Sequence, residues 1–87
     1  MRPIQTAAAF GWAVRRARKE RGLSQAQLAS MAGVSRPWLS GLENGKRTAE
    51  IGKALAVLTV MDLAVIVETP EVDDSAVDLD RLLAGEY

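Results

Sequence analysis

Residues 22–47, GLSQAQLASMAGVSRPWLSGLENGKR, hold the signals for two short helices, their caps and the turn between them. Ser24 followed by Gln27 three residues on makes a capping box, in which each side chain satisfies an orphan backbone group at a helix start. Leu28, Ala29 and Ala32 give that helix one apolar face. Gly33 falls where the chain must reverse, because glycine takes a positive φ without steric cost. Ser35 recaps the chain at once and opens a second helix over about 36–44. Helical periodicity turns Leu39 and Leu42 inward and leaves Arg36, Trp38, Ser40 and Gly41 mainly outward.

Working outward, Thr6 is placed to cap a helix reaching about Arg21, with Phe10, Val14 and Ala17 at helical spacing and Gly22 at its end. Its other faces carry Arg15, Arg16 and Lys19, which puts positive charge beside the motif. On the C-terminal side Thr48 is expected to open a fourth helix, with Glu50 in its first turn and Ile51, Leu55 and Leu58 as the inward stripe.

The net charge of the 87 residues is zero, but the charges are segregated. Residues 1–60 carry ten bases against three acids, and the remainder carries Arg81 against eight acids. Either run alone reads as a solvated face; a basic run that coincides with two capped helices and a tight turn reads better as a phosphate-contacting surface. The pattern is that of a DNA-binding helix-turn-helix, whose second helix enters the major groove.

LSQ, LA, AGVS, LS and LENGK at these spacings resemble the XRE helix-turn-helix family, of the Cro and lambda-repressor type, over roughly residues 10–58. The hydrophobic MDLAVIVE and acidic tail that follow resemble more narrowly the HipB-type antitoxins. That resemblance implies a homodimer that binds operator DNA and a HipA-type Ser/Thr kinase toxin. It also implies a structural ion pair between Glu43 and Arg18.

Arg36 is the leading candidate for base reading, since its fork can donate two hydrogen bonds to guanine. The Pro37 ring can touch a thymine methyl, and Ser35 can bond a phosphate as well as cap. Trp38 is expected to lie against the sugar-phosphate backbone, with core packing as the rival reading. Ser40 and Gly41 complete the outward face. Gln25, at the start of the first motif helix, is placed to hold phosphate. Asn44, Lys46 and Arg47 follow the recognition helix in a loop where cations can reach the same strand. Gly45-Lys46 lacks the preceding glycine and the following Ser/Thr of a nucleotide-binding loop, so no nucleotide site is expected there.

Residues 63–67 are aliphatic throughout ahead of Pro70, which suits a strand. A lone strand cannot satisfy its own backbone, so Leu63, Val65, Ile66 and Val67 are candidates for antiparallel pairing with a second subunit. The alternative is that this segment extends the fourth helix or packs on its own subunit. Beyond Pro70 the acids are interrupted by Val77, Leu79, Leu82 and Leu83, giving a short amphipathic pattern over about 75–84 ahead of Tyr87. Those five residues are candidates for toxin contact by folding on a partner; a solubilising tail, or a tail that covers the positive DNA face, are the competing readings.

The expected fold is therefore mostly α: a four-helix repressor-like domain over 1–60, a dimerisation strand over 61–70 and an acidic tail over 71–87. A chain this small buries only about 60% of the surface its unfolded form exposes, so dimerisation is a natural supplement. With no cysteine and no histidine, thiol chemistry, imidazole bases and the commonest transition-metal ligands are absent. No enzyme activity, metal or cofactor is expected. No apolar run long enough to span a membrane and no signal-peptide layout occurs, and a cytoplasmic location is expected. The function expected is that of a repressor and antitoxin; a regulator without a toxin, or an interaction module that does not bind DNA, are the alternatives.

Overall fold

The computed structural model describes residues 3–69. Within them the chain forms α1 (Ala7–Glu20), α2 (Gln25–Ala32), α3 (Arg36–Glu43) and α4 (Ile51–Val60). Each of the first three starts on a side-chain cap: Thr6, Ser24 and Ser35 accept from the backbone amides of Ala9, Gln27 and Trp38 at 3.0, 3.0 and 3.1 Å. Both halves of the capping box are made, the Gln27 side chain accepting from the Ser24 amide at 2.8 Å.

The α2–α3 turn is closed by Gly33 at φ 70°. The Val34 amide reaches back to the Ala29 carbonyl at 3.0 Å and the Gly33 amide to that of Ser30 at 3.3 Å, the two bonds of a Schellman ending. This fixes the angle between α2 and α3, because Ser35 restarts the helix before the chain has a free residue to vary.

Val14, Leu28, Leu39 and Val57, one from each helix, are fully buried, and Ala29, Leu42, Ala54, Leu58 and Met61 close the core around them. The helix α2 packs on α3 and α4, and α1 packs on α3. Gly11 lets α1 lie directly on the backbone of α3 at Leu42 and Glu43, a close approach that even a methyl group would obstruct.

Two expectations about α4 are corrected. It starts at Ile51 with Glu50 as N-cap, three residues after Thr48, and no side chain caps it. Its buried stripe is Ala54, Val57, Leu58 and Met61, whereas Ile51 is 76% exposed and Leu55 43% exposed. The face formed by 54, 57, 58 and 61 is the one turned to the core, where α4 packs on α2, and only Leu58 of the expected stripe is buried.

The helix ends at Val60 with Met61 as its C-cap, and Asp62 at φ 59° turns the chain out of it. Residues 63–69 do not extend α4, nor are they buried on their own subunit; Leu63, Val65, Ile66 and Val67 are all exposed. Among the described residues no strand is formed. The acidic tail, with Val77, Leu79, Leu82, Leu83 and Tyr87, lies outside the described residues.

Candidate nucleic-acid interface

The N-terminus of α3 is the most open part of the motif. Ser35, Arg36 and Pro37 are exposed, and Pro37 sits in the first turn, where a missing amide leaves no intrahelical bond unmade. Asn44, Lys46 and Arg47 are exposed beyond the C-terminus of the same helix. Their loop is anchored by Gly45 (φ 84°), which lies against Ala8 at the start of α1, and by the Lys46 amide, which donates to the Gly41 carbonyl at 3.0 Å.

Other candidates are placed differently from the expectation. Trp38 is half-buried against the core, and Lys53 of α4 stands over its ring at 5.7 Å from the centroid. Its ring is therefore part packing surface and part platform for a cation from α4. Ser40 and Gly41 are half-buried too. The Ser40 carbonyl accepts from Asn44 Nδ2 at 2.9 Å, and the aliphatic stem of Lys46 covers Gly41. The first turn is thus the open part of α3, and the C-terminal half is covered by its own loop.

Gln25 is half-buried, and its Nε2 donates to Glu43 Oε1 at 3.2 Å. Its side-chain amide is thus engaged in the frame. Arg18 donates from Nε to Glu43 Oε2 at 2.7 Å and from Nη2 to Oε1 at 2.9 Å, and from Nη1 to the Leu23 carbonyl at 2.8 Å. One carboxylate thereby ties α1, the start of α2 and the end of α3 together. Burial pushes the Glu43 carboxyl up, but hydrogen bonds from Arg18 and Gln25 and the charges of Arg18 and Arg15 outweigh it and hold it below the ordinary glutamate value. The hydrogen bond to Glu43 raises Arg18 against the opposing effect of burial.

Lys53 was not among the residues picked out by sequence. Nothing in its spacing marks it, because it joins the site through its contact with the Trp38 ring across the fold. It adds a partly exposed cation at one flank of the first turn, with Glu50 Oε1 at 3.4 Å from its Nζ.

No group of residues able to hold a metal ion occurs among the described residues, and no described helix is long and apolar enough to cross a membrane. The site can do what a rigid, positively charged helix end does: approach a duplex and present donors to base edges and phosphates.

Known proteins share this fold. The helix-turn-helix family profile matches residues 14–65. The uncharacterized HTH-type transcriptional regulator y4mF of Sinorhizobium fredii is 43% identical over 67 residues, 77% of this chain and 88% of its own. Among solved structures, the restriction-modification controller protein C.AhdI from Aeromonas hydrophila is 33% identical with a TM-score of 0.62, over 67% of this chain and 84% of its own. HipB in the HipB–O4 20-mer complex shares the fold at a TM-score of 0.75 and 18% identity, over 82% of this chain and all of its own. The same fold likeness holds for the HipA–HipB–O2–O3 complex. The chain belongs to the XRE-type helix-turn-helix family and is a DNA-binding transcriptional regulator, not an enzyme.

Proposed function

We propose that the protein is a homodimeric repressor that reads a palindromic operator in the cytoplasm and serves as the antitoxin of a HipA-type kinase toxin. The observation that carries DNA reading is the exposed first turn of α3, Ser35-Arg36-Pro37, held rigidly by the Arg18–Glu43 pair and flanked by Lys46, Arg47 and Lys53. The antitoxin role is supported by the likeness to HipB, which occurs in complexes with the O4 20-mer and with HipA. Binding assays on the DNA around the protein's own gene, at several salt concentrations, test the first part. Affinity is expected to fall steeply with salt as Lys and Arg displace condensed counterions; salt-insensitive binding would sink it. Co-purification of the neighbouring gene's product tests the second.

Arg36→Ala is expected to relax discrimination at one base position per half-site, by about 1–3 kcal/mol. Lys46→Ala is expected to weaken every duplex alike and shallow the salt slope. Competition against single-base operator variants separates the two, and equal losses at every position in Arg36→Ala would move base reading elsewhere.

For the dimer, the support is the run of exposed apolar side chains at Leu63, Val65, Ile66 and Val67, with Val67 93% exposed. Pairing this run antiparallel across a two-fold axis covers those side chains and satisfies the backbone, and it sets half-sites about one helical turn apart or a multiple of that. Val65→Pro removes a ladder donor and fixes φ, so sedimentation is expected to show monomer or a weakened dimer. An undisturbed dimer would locate the interface away from this segment.

A second reading, a regulator that serves no toxin, is favoured by the 33% identity to a restriction-modification controller against 18% to HipB. Absence of any co-purifying partner, with operator binding retained, would select it.

A further inference from the structure

The face of α1 turned away from the core is an aromatic and basic stripe that lies outside α2 and α3. Trp12 is 58% exposed, and the Arg16 guanidinium stands 5.4 Å from its ring centroid. Arg15, Arg16 and Lys19, with Glu20, line a shallow groove beside that ring. Arg16 also meets Glu20 at 2.9 Å, so the stripe keeps a net positive charge with Arg15 and Lys19 free of any ion pair among the described residues. An exposed indole with a cation on its face and two more beside it suits an occupant that is both acidic and apolar.

We propose that this stripe is the docking site of the chain's own acidic segment, residues 71–87. That segment carries Glu71, Asp73, Asp74, Asp78, Asp80 and Glu86 against Arg81, with Leu79, Leu82 and Leu83 at helical spacing among them. Acids meet Arg15 and Lys19, and the leucines cover Trp12. The fold delivers the segment to the right place: Arg21 Nε, at the end of α1, donates to the Met61 carbonyl at 3.1 Å, so the chain leaves α4 beside the helix that bears the stripe. Lys19 and Trp12 are separated by about 10 Å along α1 at 1.5 Å per residue. The ten residues 62–71 reach up to about 33 Å when extended, more than the docking needs. Tethering at this length gives an effective concentration on the order of millimolar, enough to populate a contact that would be weak between separate molecules. The docking holds whether or not the tail also meets a toxin.

The absence of cysteine makes the test direct. A nitroxide placed through Ser75→Cys in the full chain is expected to broaden the backbone amide signals of residues 12–19 at about 50 mM salt. The broadening should be lost at about 0.5 M salt, where the screening length is only a few ångströms. It should also be lost in Arg15→Gln/Arg16→Gln/Lys19→Gln, which alters exposed side chains only, and be reduced in Trp12→Ala. Broadening centred instead on residues 36 and 44–47 would place the tail on the DNA face and overturn the proposal. Broadening of a nitrogen-15-labelled chain by a separate spin-labelled copy, with none within the chain, would make the occupant a second subunit's tail and overturn it likewise. In the triple Gln variant, a salt slope of operator binding shallower by about 0.9 per side chain would assign the stripe to phosphates and overturn the proposal.

Discussion

Glu43→Ala is expected to cost about 3–5 kcal/mol of stability, because it leaves the buried guanidinium of Arg18 without its countercharge. A core of this size supplies about that much in total, so the variant should be largely unfolded near room temperature. The carboxylate is an acceptor shared by α1 and α2, through Arg18 and Gln25, and it lies at the C-terminal end of α3. Urea unfolding followed by circular dichroism measures the loss. Removing both partners at once, as Arg18→Met/Glu43→Leu, should recover much of it, since a matched apolar pair leaves no charge stranded. A single-variant loss below about 1 kcal/mol would be the value of a surface pair and would show that this one does not hold the frame. The pair also sets a direction with pH. Glu43 binds its proton more weakly folded than unfolded, its value lying below the ordinary 4.5. Its contribution is therefore complete above about pH 4.5 and disappears as the pH falls through the folded value. The urea midpoint should hold level down to about pH 5 and then fall, with a shallower fall in Glu43→Gln.

Where the sequence was legible, the reason is local chemistry. Ser24, Gln27, Gly33 and Ser35 act within a few residues of themselves, through caps and a reversal that need no tertiary partner, and the structure places all four as read. The fourth helix was misread at its start because its cap is not a local signal. Glu50 stands at the N-cap without a side-chain hydrogen bond, and the chain ahead of it is set by Gly45 packing on Ala8, which no spacing reveals. The inward stripe was misread as well: Ile51 and Leu55 lie outside the core, and Ala54 and Val57 lie in it. Trp38 was misjudged for a related reason: its neighbour Leu39 does occupy the inward stripe, yet α4 brings Lys53 over the indole from outside the recognition helix. At the site the exposed ends of α3, Arg36 and Lys46 with Arg47, were legible as charge on a motif. The diversion of the Gln25 amide to Glu43 and the covering of Gly41 by Lys46 were not, since both depend on distances across the fold.

Gly11 is the residue whose importance no spacing shows, and Gly11→Ala should act against its local propensity. In an isolated helix alanine is better than glycine by about 1 kcal/mol, so a purely local account predicts a gain. Here the added methyl would overlap the Leu42 carbonyl oxygen and stand 2.8 Å from that of Glu43, both main-chain atoms that cannot swing aside. Forcing α1 away from α3 should cost about 3 kcal/mol, at the upper end of ordinary overpacking, for a net loss of about 2. The displacement also pulls on Glu43 and so on the Arg18 clamp, which should weaken operator binding although Gly11 lies in the interior of the fold. Gly52 supplies the counterpart: it is helical and exposed on α4, with open space where its methyl would go. Gly52→Ala should therefore stabilise by about 1 kcal/mol. Urea unfolding of both variants compares the same chemical change at two helical sites. Opposite signs are expected, and a gain at both would mean that α1 and α3 are not in backbone contact.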